Sequence, residues 1–386
     1  MGAEGRRAAV AKKKTSPPIL SHEFVIQNHG DIMSCILMLI VIGFMFPATA
    51  SLSAIFVVPQ YNETVSIPTE VGPYDVQIYR SGVRDIFTVL FYTVAWITVH
   101  AIIQEYILDK LQRKVHLSKS KQYKFGESGH HLFFATYAVV HAAYVIGDFI
   151  DSHNDLKNVW SGYPEEHRAM TLNMKLFFLL QIAYWVHQFP EFYFSKMKKD
   201  EMQHRTVVSI LHIGFIAGAY IMNFQRLAVL LLVIQYASDV IFHLARLIHF
   251  LEKKSIAKNT FKAWNFVFIL ARLATAVLAV VTFWYGLRQT GQPSVDIPNG
   301  NFNTSFIRLN SLIATLALQL FMLWQFITFH FGRLRDVRQR KQKGNETKKQ
   351  LAAASKRNNN RTESESSAQE TAPEDKSPGK RKQKAH

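Results

Sequence analysis

Apolar residues along this 386-residue chain gather into eight blocks, 32–54, 86–107, 130–150, 171–194, 206–222, 227–250, 264–287 and 306–331. Charge is confined largely to the strips between them and to the two ends. Each block is near the roughly 20 residues that carry an α-helix across a hydrocarbon core. None alternates with period 2, and runs of this length predict spanning helices rather than barrel strands. The pattern therefore predicts an all-α polytopic membrane protein with about eight transmembrane helices. Ser21-His-Glu23 ahead of the first block and Asn303-Thr-Ser305 ahead of the last read as helix starts. Asn223-Phe-Gln-Arg226 leaves room only for a tight turn, which predicts an antiparallel pair from the fifth and sixth helices. Gly214 and Gly218, four apart on the fifth, predict a close-packing face against the sixth.

Charge orients the helices. Lys and Arg number 5 in residues 1–30, 6 in 110–124, 4 in 196–205, 4 in 253–262 and 16 in 333–386. That places 35 on one side of the membrane against 7 on the other, where Arg80, Arg84, Lys157, Arg168, Arg226, Arg288 and Arg308 lie. Positive residues stay inside, so both termini are expected in the cytosol. Two glycosylation sequons agree, because Asn62-Glu-Thr64 and Asn303-Thr-Ser305 fall in the first and last non-cytosolic loops. Asn62 is the expected acceptor and Asn303 the second candidate, disfavoured by its closeness to the membrane. Ala48-Thr-Ala50 resembles a cleavage site, but 31 residues precede the apolar run and the run continues past it, which predicts an uncleaved signal-anchor. Arg6 stands where a myristoylation signal following Gly2 needs Ser or Thr.

The formal net charge is +17, yet mean hydropathy is close to zero. The two are reconciled by segregation: the charge sits on cytosolic flanks facing anionic headgroups or a large anionic partner. Residues 333–386 hold 16 basic and 7 acidic side chains and almost nothing large and apolar, so a tail without a stable fold is expected. No specific nucleic-acid site is expected in it. Lys382-Gln-Lys384-Ala-His386 resembles the K-x-K-x-x signal that retrieves membrane proteins to the endoplasmic reticulum. Cys35 is the single cysteine, which excludes an intrachain disulfide and a cysteine-based metal cluster.

Ionisable residues inside a span need a partner or a role. Asp239, His243 and Arg246 are spaced i, i+4, i+7 and share one face of the sixth helix. Arg272 on the seventh helix falls at nearly the depth of Asp239. The two either form an ion pair or satisfy themselves separately. His187 and Glu191 share a face near the end of the fourth helix, with Pro190 between them. They could act as acid and base, although a last turn loosened by Pro190, with Glu191 reaching the interface, is the favoured reading. His100, His141 and His212 lie on three different spans and are read as separate core histidines rather than metal ligands. No nucleophile elbow, phosphate loop, dinucleotide fingerprint or zinc-protease motif is present, and no cofactor or metal is implied.

The segment Ser16-Pro-Pro-Ile-Leu-Ser-His-Glu-Phe-Val-Ile-Gln-Asn-His-Gly-Asp-Ile32 closely resembles the N-terminal signature of the translocating chain-associated membrane protein family. Ile103-Gln-Glu-Tyr-Ile-Leu-Asp-Lys110, Phe125-Gly-Glu-Ser-Gly129 and Ala183-Tyr-Trp-Val-His-Gln-Phe-Pro-Glu-Phe-Tyr-Phe194 continue the resemblance, which runs from about residue 13 to 333. It implies a cytosolic arm (1–31), two helices with a lumenal loop (32–118), a TLC domain of six helices (119–332) and the tail. It further implies a non-enzymatic protein of the endoplasmic reticulum membrane, beside the translocation channel and near the ribosome. Such a protein contacts nascent secretory and membrane polypeptides together with membrane lipids. The polar seam, Asp239, His243, Arg272, His212, His187 and Glu191, is the expected contact for nascent chain or lipid. The TLC domain also resembles ceramide synthases, whose pattern is a His pair, then Asn-x-x-Arg, then His-Asp-x-x-Asp. Asn223, Arg226 and Asp239 match it. Val208-Ser209 and Gln235-Tyr236 stand where the imidazole-bearing residues belong, so acyl transfer as known in that family is not expected here.

Overall fold

A computed structural model describes residues 18–19, 21–69, 72–150, 155–195 and 197–368. Residues up to Gln319 form one compact unit, and those from Leu320 onward a second. In chain order the first unit holds α1 (His22–Ile42), α2 (Pro47–Val57), the antiparallel hairpin β1 (Asn62–Thr69) and β2 (Gly72–Tyr79), α3 (Asp85–Ile103) and α4 (Asp109–Val115). It continues through α5 (Lys119–Gly147), α6 (Glu165–Arg168), α7 (Leu172–Phe194), α8 (Lys199–Ile221), α9 (Gln225–Phe250) and α10 (Lys254–Val280). The last helix, α11 (Ser305–Ala368), starts in this unit and supplies the helical part of the second.

Among the described residues, six helices are long and apolar enough to cross a membrane: His22–Met45, Asp85–Val115, Lys199–Ile221, Gln225–Phe250, Lys254–Thr290 and Ser305–Ala353. The two remaining predicted spans are α5 and α7. They have the length but are too polar to qualify. Ser128, Lys175, Gln181, His187 and Gln188 on these two helices are all buried, so their polarity faces the bundle interior rather than lipid.

The first predicted span, 32–54, is not one helix. α1 begins ten residues earlier, where the Ser21 hydroxyl caps the Phe24 N–H at 3.1 Å, and the chain breaks at Phe46 before Pro47 opens α2. Proline cannot donate to the preceding turn but suits the first turn of a new helix, which fixes the break. The hairpin also goes beyond the expected helices; it projects from the loop joining α2 to α3.

α9 lies between α5 and α10, while α3 packs on α1 and α7, and α7 on α8. The predicted turn between α8 and α9 is present, with Asn223 left-handed at φ 60°. Beyond that turn α8 follows α7 and touches α9 sparingly, because α5 and α10 occupy the flanks of α9. The close-packing face expected at Gly214 and Gly218 is absent: a Cβ at Gly214 would meet no atom within 4 Å, and one at Gly218 only the Met222 methyl. Close approach occurs instead at Gly30, where a Cβ would sit 2.6 Å from that of Ala101 and so sets α1 against α3.

Loops close one end of the bundle. The Tyr163 hydroxyl donates to the Met222 carbonyl and accepts from the Phe302 N–H, each at 3.0 Å, and Asn223 donates to the Gly300 carbonyl at 2.7 Å. In the second unit, the tail expected to lack structure is helical to Ala368, and residues 333–353 are exposed throughout. The composition argument concerned burial, and this segment buries nothing. Helix formation is local, and Lys, Arg, Gln and Ala are good helix formers. The retrieval-like signal lies outside the described residues, as does the start of the Ser16–Ile32 signature.

Candidate functional site

Polar side chains on α9 and α10 meet through an intermediary. Asp239 accepts two hydrogen bonds from the Gln235 amide, at 2.9 and 3.0 Å, and the Gln235 carbonyl accepts from the Arg272 guanidinium. Gln235 lies one turn before Asp239, so a three-residue relay joins the two charges, which is neither the direct ion pair nor the separate satisfaction that the sequence allowed. Arg272 is buried with its guanidinium carbon 4.9 Å from the centre of the Phe268 ring. One residue along, the Tyr236 hydroxyl donates to Gln181 on α7 at 2.8 Å and accepts from the Trp185 indole at 3.3 Å. His212 on α8 stacks on Trp185 at 3.7 Å, with Nδ1 turned to the Val208 carbonyl of its own helix.

The rest of the α9 face turns toward α5. His243 lies against His131 at 4.9 Å, and Arg246 reaches Glu127 at 3.4 Å. Glu127 also pairs with Arg205 of α8 at 2.8 Å, so one carboxylate joins three helices. His187 and Glu191 do not pair as acid and base, and the last turn is not loosened; each finds its partner elsewhere. His187 is buried with Nδ1 at the Tyr184 carbonyl, while Glu191 turns to His100 of α3 at 3.5 Å. Glu191 turns inward, its side chain 14% accessible, and α7 continues through Pro190 to Phe194.

His100 stacks on His130 at 3.5 Å, and His130 bonds to Gln104 at 3.0 Å. Gln104 opens a π-helical turn, Gln104–Leu108, between α3 and α4. Such turns re-aim side chains and recur at functional sites. Together with Gln188, Lys119, Glu127 and Arg205, these groups line a cavity of about 390 Å³. His130, His131, Glu127 and Gln104 were not singled out as site residues in the sequence; the adjacent histidines at the opening of the third block were the available signal. Among the described residues no group of three or more His, Cys, Asp or Glu is arranged to hold a metal ion. His100, His141 and His212 do not converge: His141 is bonded to Tyr137 at 2.9 Å, away from the other two.

A second polar cluster lies outside the seam. Lys175 is fully buried, paired with Asp85 at 2.8 Å and donating to the carbonyls of Gln60 at 2.6 Å and Arg80 at 2.7 Å. Asp85 also accepts from Tyr220 at 2.7 Å and from the Gly82 N–H at 2.9 Å. This knot ties the root of the hairpin to α3, α7 and α8. Nearby, Asn303 is fully buried and its amide donates to the Leu287 carbonyl at 2.6 Å and to Thr290 at 3.1 Å. A nitrogen so engaged is closed to a glycan, which opposes the second sequon, whereas Asn62 on β1 is exposed.

The TLC-domain family matches residues 124–328, which span α5 to α10 and the first turns of α11. Over 319 residues the chain is 40% identical to translocating chain-associated membrane protein 2 of Mus musculus, covering 83% of this chain and 84% of that protein. The chain belongs to the translocating chain-associated membrane protein family. The Homo sapiens protein of the same name is 39% identical over the same length. More distantly, this family member is 30% identical over 185 residues to the sphingosine N-acyltransferase-like protein ALT7 of Alternaria alternata, covering 45% of this chain and 39% of that one. The relay at Gln235 and the Tyr236 bond occupy the positions at which the acyltransferase pattern requires imidazole and acid.

Proposed function

We propose that this chain is a non-enzymatic accessory factor of the endoplasmic reticulum translocation channel. It contacts signal sequences and transmembrane segments of nascent chains and aids their translocation or membrane insertion. The observation that carries the reading is the buried relay Asp239–Gln235–Arg272 inside an otherwise apolar helix bundle, in a chain similar along most of its length to translocating chain-associated membrane protein 2. Polar groups held within the membrane lower the cost of a partly polar segment passing beside them, because that segment would otherwise meet hydrocarbon alone. The non-enzymatic reading is supported by Gln235 and Tyr236: both side chains are committed to hydrogen bonds, and neither offers the general base that acyl transfer needs. Both termini face the cytosol in this reading, with the hairpin in the lumen.

The test is a secretory chain stalled on ribosomes docked to microsomes, with a photoreactive residue in its signal sequence. A crosslink to this 44.3 kDa protein is expected, lost when the apolar core of the signal is broken. Replacing Asp239 and Arg272 together by Leu should reduce insertion of weakly hydrophobic segments while leaving strongly hydrophobic ones unaffected. Unchanged insertion of both would remove the seam from the mechanism. A lipid-binding role is the second reading, favoured by the polar cavity beside α3.

A further inference from the structure

The cavity of about 390 Å³ is walled by α1, α3 with its π-helical turn, the start of α5 and the end of α7. Its inner wall presents Glu191. One carboxylate oxygen faces His100 at 3.5 Å; the other is buried and has no hydrogen-bond partner among the described residues. A buried carboxylate with an oxygen left over favours a ligand that brings hydrogen-bond donors. Gln188, three residues before Glu191 on the same face of α7, adds an amide to that wall. Lys119, the first residue of α5, also lines the cavity; it is exposed and has no ion-pair partner among the described residues. The remaining charges are matched, since Arg205 is held by Glu127 at 2.8 Å. The site therefore presents a carboxyl group inside and an ammonium at its rim.

Depth narrows the ligand further. Glu191 stands in the last turn of α7 and Lys119 in the first turn of α5, and the basic strips 110–124 and 196–205 flank these helix ends. Basic residues at helix ends mark the level of lipid headgroups. A cavity of this volume takes a headgroup, whereas an inserting helix would need a long groove. The cavity is lined by the rings of Tyr123, Tyr184, Phe192 and Phe194 as well, but the unpartnered Glu191 oxygen needs a donor: a primary ammonium brings three N–H groups and a quaternary ammonium none. A serine headgroup would bring a second carboxylate against Glu191.

We propose that this cavity binds the headgroup of an ethanolamine phospholipid, with the ammonium at Glu191 and the phosphate at Lys119. The site requires no nascent chain, so a failed crosslink would leave it standing.

The full-length protein is reconstituted into vesicles of phosphatidylethanolamine, phosphatidylcholine and phosphatidylglycerol in equal parts. It is then extracted in mild detergent and its retained phospholipids are quantified by mass spectrometry. Phosphatidylethanolamine should be enriched over phosphatidylcholine by about tenfold, the factor that one charge-assisted hydrogen bond supplies. Glu191→Gln should abolish this enrichment while the protein keeps its thermal unfolding midpoint. Lys119→Glu, at an exposed position that cannot disturb the core, should lower retention of the ethanolamine and choline lipids alike. Retained lipid that mirrors the vesicle composition in the wild type would overturn the proposal. So would enrichment that persists in Glu191→Gln, or retention untouched by Lys119→Glu.

Discussion

Lys175 is buried with Asp85 and two backbone carbonyls, so neither charge has water available when its partner is removed. Lys175→Met strands the Asp85 carboxylate and should destabilise the protein by roughly 3–5 kcal/mol, read from denaturant unfolding in mild detergent. Adding Asp85→Leu should recover most of that loss, because a buried ion pair replaced by apolar groups is often close to neutral. The lysine is a charge inside an apolar run that the sequence reading passed over, and its partner lies 90 positions earlier, where only packing joins them. His167 gives a pH-dependent case. Burial first and the Arg226 charge second push its imidazole down to about 3, against the partial opposition of hydrogen bonds to backbone at Ser161 and Asn223. The unfolded imidazole titrates near 6.5, so the unfolded chain binds the extra proton first. The contribution is fully present above about pH 6.5 and is lost progressively as pH falls toward 3. Thermal midpoints measured from about pH 7 to pH 4 should fall less steeply in His167→Gln than in the wild type.

At the scale of elements, polarity separated what was legible from what was not. The apolar blocks marked α3, α9 and the start of α11 within a few residues, because lipid demands continuous apolar sequence, whereas α8 and α10 begin 7 and 10 residues ahead of their blocks, in the basic strips. α5 and α7 were marked as well, although their buried histidines, glutamines and Lys175 make them the least apolar of the set. The break at Pro47 was written in the chain, since proline inside a helix removes a donor. The hairpin was not, because strand pairing joins residues such as Asn62 and Tyr79 whose match is set by the turn between them. That hairpin carries the test of glycosylation. Asn62 stands on an exposed strand, while the Asn303 amide is spent on Leu287 and Thr290. Asn62→Gln should therefore abolish the glycosidase-sensitive gel shift, and Asn303→Gln should show no loss of a glycan. A glycan at Asn303 would contradict the buried arrangement.

Across the whole molecule, charge along the chain and charge inside the bundle serve different ends. The basic strips between the helices carry the expectation of orientation, since positive residues stay inside, and that rule needs no tertiary contact. The interior charges are few, and nearly all are held across helices: Glu127 by Arg205 and Arg246, Asp85 by Lys175, and Asp239 to Arg272 through Gln235. With little hydrophobic drive between helices already in lipid, such bonds and close packing supply the association energy. The same network leaves Glu191 with one oxygen unmatched, in the cavity where the headgroup is proposed to sit.

By itself the sequence determined the class of protein, the approximate position of each long helix, the family, and which residues would need partners inside the membrane. These follow from local rules: hydrocarbon excludes unpaired polar groups, proline breaks helices, and long motifs identify relatives. The identity of the partners was decided by the tertiary structure. Asp239 meets Arg272 through a glutamine on its own helix, Glu191 takes a histidine from α3 rather than the one a turn away, and His130 joins the site from α5. Each of these depends on how helices distant in sequence rotate and cross, and spacing along one helix carries no record of its neighbour's angle.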